Sequence, residues 1–235
     1  MTPMKITPSV PETSVSEISI VLVGAFNPLI FQPLWFAGEG LVRGAEAEGA
    51  AIEIIHADAS VFAMEWLSIQ VLRNRFSASV KTDVYRAHLV DLVQGTFTKL
   101  SHTPIQQMGI NTTLRIRMRS EADWHAFGHF LVPKAPWSGA FDRPGLQSLH
   151  IRGERDRRGW VLAQVNPDLA TKSDVLFRTN EHFDVPEGKA DKAEAFMQLL
   201  KEQYEPSIAA THSAVASLLD RFLAAGEVDS GDRSQ

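Results

Sequence analysis

The stretch from Thr103 to Met118, TPIQQMGINTTLRIRM, constrains the fold of this chain more than any other. It reads as one long strand, and its last part alternates strictly between apolar and arginine residues. Successive side chains on a strand point to opposite faces. Leu114, Ile116 and Met118 therefore share one face, and Arg115, Arg117 and Arg119 share the other. If helices cover the apolar face, the arginines project from an open one.

The remaining segments fit such a sheet. Ile18 to Phe26 is a short β-branched apolar run, ended by Asn27-Pro28 because proline cannot donate to a ladder. Pro33 suits the first turn of a short helix from Leu34 to Val42, which Gly38 and Gly40 weaken. Ala51–Ala57, Val61–Gln70 and VLRNRFSASV are three β-prone runs. Asp83 is placed to cap a helix whose apolar face carries Leu89, Leu92, Val93 and Phe97. After the arginine strand, Ser120 and Asp123 resemble a capping pair for a helix over Glu121–Leu131. LQSLHIRGER and GWVLAQVNPD form a predicted hairpin, SDVLFRTNEHFDV a further strand, and Lys189 to Phe222 a long final helix, bent near Pro206.

Both halves share an outline of strand, short helix, several strands and a longer helix. The expected fold is α+β: an antiparallel sheet with helices packed on one face and a long C-terminal helix. It is either a duplicated unit, with halves 18–101 and 102–225 meeting near Leu100–Pro104, or a single sheet without duplication. Residues 1–17, rich in Pro, Ser and Thr, are expected to form a disordered arm, and residues 226–235 a disordered tail.

The succession FNPLIF, YRAHLVDLVQGTFTKLSHTPIQQMGIN and FRTNEHFDV resembles a sporadically distributed family of uncharacterised bacterial proteins of similar length. The resemblance covers most of the chain and implies an α+β fold. It brings no activity, cofactor or catalytic residue with it.

Composition narrows the function classes. With no cysteine there is no disulfide framework, thiolate zinc site or cysteine nucleophile. The net charge of -5 argues against a protein coated by nucleic acid, although a local basic face fits within it. ISIVLVGAF is too short to cross a bilayer, which takes about 20 apolar residues, and the N-terminus is too polar for a signal peptide. A cytoplasmic protein without membrane contact is expected. No nucleophile elbow, P-loop or dinucleotide fingerprint occurs in the sequence, so no cofactor is expected.

Five candidate sites remain. The first joins Arg115, Arg117 and Arg119 to Arg73 and Arg75 on a neighbouring strand, a surface for an acidic partner or a phosphate backbone. The plainer alternative is a solvated face paired with nearby Asp and Glu. Arg152, Arg155, Arg157 and Arg158 sit in the hairpin loop, diluted by Glu154 and Asp156. His125 and His129 have metal-compatible spacing on one helix face but no third ligand nearby, so amphipathic packing is the simpler role. His182 and Asp184 point to the same side of a strand, where they can hydrogen bond, but no recognisable nucleophile accompanies them. The aromatic segment with Phe31, Trp35 and Phe36 reads as core first and as a subunit interface second. Together these features lead to a non-enzymatic interaction protein that docks a protein partner or assembles with itself. A nucleic-acid-binding module and an enzyme acting near His182 and Asp184 are the alternatives.

Overall fold

The computed structural model describes residues 10–155, 159–184 and 192–232. Two long antiparallel strands form its spine, β1 (Glu12–Gly24) and β6 (Ile105–Arg117), paired from Glu12–Arg117 to Gly24–Ile105. On one side of the spine follow β5 (Arg75–Val80), β4 (Ser68–Leu72), β3 (Ala59–Ala63) and β2 (Ala51–Ile55). On the other follow β9 (Asp174–Asp184), β8 (Gly159–Pro167) and β7 (Leu149–Arg155). The result is one nine-stranded sheet, antiparallel at every pairing.

The element succession repeats about the spine. β1 leads through the short helices α1 (Pro33–Gly38) and α2 (Gly44–Glu48) to β2–β5 and then α3 (Arg86–Lys99). β6 leads through α4 (Glu121–Leu131) to β7–β9 and then α5 (Lys192–Asp232). In each half the last strand returns beside the first, so β5 flanks β1 as β9 flanks β6.

Several expected boundaries move. β1 starts at Glu12, inside the segment expected to be a disordered arm, because Glu12–Val15 find partners on the far end of β6. Val61–Gln70 is two strands rather than one, since Met64–Leu67 makes a turn closed by Met64 N donating to Leu67 O. VLRNRFSASV likewise turns at Arg73–Asn74. Asp83 does not cap α3. It lies in a 3₁₀ turn and pairs with Arg86 instead. Ser120 does cap α4, its hydroxyl accepting from Asp123 N at 3.1 Å. α5 runs on to Asp232, through part of the expected tail, with Pro206 inside it.

Period-two alternation decides which face is covered. Ile18, Ile20 and Leu22 of β1, Phe76, Ala78 and Val80 of β5, and Met108, Ile110, Leu114 and Ile116 of β6 all point to the helix side and are buried. Phe26, Phe31, Phe76 and Phe97 interlock there with centroid separations of 5.1–6.4 Å. Burying each such side chain stabilises by roughly 1.5–3 kcal/mol. Phe31 and Phe36 are therefore core, with no surface left for a partner, while Trp35 is half-buried beside them.

The core is in two parts. One lies under the first half and is completed by Phe196, Leu200, Tyr204 and Ile208 of α5. The other gathers Leu114, Trp124, Phe127, Phe177, Val215 and Phe222. Between them runs a buried polar seam of Thr112, Thr179, Glu181, Ser207 and Thr211. Ser207 Oγ donates to Glu181 Oε2 at 3.0 Å, and the hydroxyls of Thr179 and Thr211 meet at 2.6 Å. No described helix is long and apolar enough to cross a membrane.

Candidate functional site

With the helices on one side, the other face of the sheet is left open and forms a trough of about 980 Å³. Strand register arranges its side chains in rows across the strands. The central row is Ser68, Ser79, Ser19, Asn111 and Asn180, each paired with the next on the neighbouring strand. At a strand separation of about 4.8 Å this row of neutral hydrogen-bonding groups spans roughly 19 Å. A second row reads Gln70, Ser77, Val21, Gly109, His182 and Trp160. A third holds Glu17, Thr113, Arg178 and Gln164.

Within the rows, Asn111 Nδ2 donates to Ser19 Oγ at 3.1 Å, and Arg178 Nε to Thr113 Oγ1 at 3.2 Å. Asn180 lies over Gly109, where a Cβ would stand 3.6 Å from its Oδ1. That Oδ1 is buried and accepts no hydrogen bond from the described residues. At the β8 end of the second row, Trp160 stacks on His182 with 4.6 Å between centroids and 16° between planes. Arg152, from β7 on the other side, holds its guanidinium 4.9 Å from the Trp160 ring. Both faces of that indole are thus covered.

Of the five arginines expected to share a face, only Arg115 and Arg117 come together. They converge on Asp174, with Arg115 Nη1 2.8 Å from Oδ2 and Arg117 Nε 3.3 Å from Oδ1. Asp174 is buried, which by itself would raise its carboxyl. The hydrogen bonds from Arg115 and Arg117 outweigh burial and hold it below the usual carboxylate range. Arg119 lies past the end of the strand and pairs with Asp123 at 2.6 Å. Arg73 sits in a turn and pairs with Asp58. Arg75 does face the trough, but its partner on β1 is Val23, whereas that of Arg115 is Ser14. The two arginines are therefore roughly 30 Å apart along the sheet.

His182 Nε2 and Asp184 Oδ1 are 3.1 Å apart, as the strand spacing predicts. No serine, threonine or lysine among the described residues hydrogen bonds to that imidazole. His125 faces Glu121 at 3.6 Å and His129 Nδ1 accepts from Lys134 N, so neither shares a ligand set. Among the described residues no group of three or more His, Asp or Glu could hold a metal. Arg157 and Arg158 of the hairpin loop lie outside the described residues, and Arg155 closes the β7–β8 pairing opposite Gly159.

The neutral row is the part of the site that the sequence did not announce. Ser77 and Ser79 alternate with the buried apolar Phe76, Ala78 and Val80, so their common side could be inferred, whereas Asn111, Thr113, Arg178 and Asn180 alternate in part with the buried polar Thr112, Thr179 and Glu181. Their alignment into rows depends on pairings between segments up to 92 residues apart. No family model matches the chain, and no curated protein matches it.

Proposed function

We propose that this chain is a non-enzymatic binding protein that docks a protein partner along the open trough of its sheet. The row Ser68, Ser79, Ser19, Asn111 and Asn180 carries the reading. Neutral donors and acceptors repeated at strand spacing suit the amide groups of an extended or loop segment.

Charge supports the same choice. On the central strands Arg75, Arg115, Arg117 and Arg178 are matched by Glu12, Glu17, Asp174 and Asp184 on the same face. Binding through phosphates requires a surplus of cations, and this face has none. The His182–Asp184 pair is stacked against Trp160 without a nucleophile bonded to it, which favours a positioning contact over catalysis.

Site-specific photo-cross-linking in the host tests the proposal. A photoreactive residue at Ser79 or Gln164 is expected to capture a protein, or a second copy of this chain, that the same residue at exposed Lys201 on α5 does not. Asn111→Lys should abolish that capture without altering the melting temperature. Cross-links to nucleic acid from Ser79, or equal capture from Lys201, would sink it.

A further inference from the structure

A second cavity, of about 690 Å³, lies on the helix side, between α4, the segment 134–146 and the turn 167–172. It shares no lining residue with the trough. Its walls include Trp124, Gly128, Leu146 and Leu169. Trp124 spends its only donor on the carbonyl of Asp174 at 3.1 Å, so its ring presents only hydrocarbon. Gly128 sits inside α4, where glycine weakens a helix relative to alanine. Packing does not require it there, since an added Cβ would meet only Leu146 Cβ, at 3.8 Å. What the glycine leaves is room in the cavity.

Three cations stand on this apolar wall, Lys134, Arg143 and Lys172, and no carboxylate lines it. Lys134 and Arg143 have no ion-pair partner among the described residues, whereas Lys172 reaches Glu121 at 3.3 Å. Lys172 also holds a left-handed backbone, with φ of 49°, a region that disfavours a long side chain. In a chain of net charge -5, the cations Lys134 and Arg143, unpaired among the described residues, over an apolar cavity define a complementary ligand.

We infer that this cavity binds a small amphiphile with an anionic head, a medium- or long-chain carboxylate, with the head at Lys134 and Arg143 and the apolar body against Trp124, Gly128 and Leu146. The site is independent of the trough, and either reading can fail without the other.

Calorimetric titration of the full chain with decanoate below its micellar concentration tests this, with decyltrimethylammonium and decanol as charge-reversed and neutral controls. Decanoate is expected to bind at one site, decanol more weakly, and the cation not at all. The double change Lys134→Glu with Arg143→Glu should weaken decanoate by about tenfold or more. Lys172→Asn keeps a residue that tolerates the left-handed backbone and should weaken it less. Gly128→Leu, checked by its melting curve, fills the cavity and should remove binding. Absence of decanoate binding, equal binding of the three amphiphiles, or an affinity unchanged by the double charge reversal would each overturn the inference.

Discussion

Arg115 reaches diagonally across the β6–β9 ladder to Asp174, where a carboxylate with a side chain only 3% exposed receives the guanidinium at 2.8 Å. Arg117 reaches the other oxygen from 3.3 Å, and its side chain is 64% exposed. The shorter and drier contact carries more of the stabilisation. Arg115→Ala should therefore destabilise more than Arg117→Ala, by about 1–2 kcal/mol against about 0.5 after allowance for solvent screening. Urea unfolding of the two variants decides it, and equal losses would contradict the assignment.

Two carboxylates set the acid limb of stability. The Asp174 carboxyl is held low by Arg115 and Arg117 against the effect of burial. Glu46 is pulled down to about 2, chiefly by the hydrogen bond from Arg43 at the start of α2. A carboxyl whose folded pKa is depressed adds stability that is present above its unfolded value, near 4. That stability is lost as pH falls through the folded value. Stability should therefore decline below about pH 4 and continue to fall toward pH 2. Asp174→Asn and Glu46→Gln should each flatten that decline, which urea midpoints measured between pH 2 and 7 would reveal.

Two glycines let strands approach their neighbours. A Cβ on Gly24 would overlap the carbonyl oxygen of Pro104, and one on Gly159 that of His182. Both obstacles are backbone and cannot rotate away. Gly24→Ala and Gly159→Ala should each cost about 1–3 kcal/mol or more. Gly109→Ala, where the nearest atom is the Asn180 amide at 3.6 Å, should change stability little. Chemical denaturation of the three variants provides the comparison.

Polar seam and aromatic core differ in what they contribute. Ser207→Ala removes a buried donor to Glu181 and should cost about 1–3 kcal/mol. Phe36→Ala empties space in the larger core and should cost about 3–5 kcal/mol. A Ser207→Ala loss as large as that of Phe36→Ala, read from the same denaturation curves, would mean that the seam holds the two cores together more strongly than its hydrogen bonds explain.

Local periodicity made most elements readable. The alternation of Leu114–Arg117 put both arginines on the open face, Ser120 marked the start of α4, and the spacing of His182 and Asp184 foretold their hydrogen bond. Failures began where partners are distant in sequence. Nothing near Arg75 says that β1 separates its strand from the arginine strand, or that Arg75 and Arg115 take opposite ends of β1. Glu12–Val15 look like an arm because only β6 gives them a ladder. Trp124, Gly128 and Lys134 gave no hint of a cavity, since its opposite wall comes from Leu169 and Lys172.

The larger core lies under β1, β5 and α3, yet Phe196, Leu200, Tyr204 and Ile208 complete it. A chain leaving the ribosome carries β1 to α3 into solution well before α5 exists. Those first residues keep apolar surface uncovered until synthesis has passed Ile208, and β1 keeps one unpaired edge until β6 arrives. The first core therefore closes only once α5 has been made, and a nascent chain stalled before that point holds its apolar surface open to other chains.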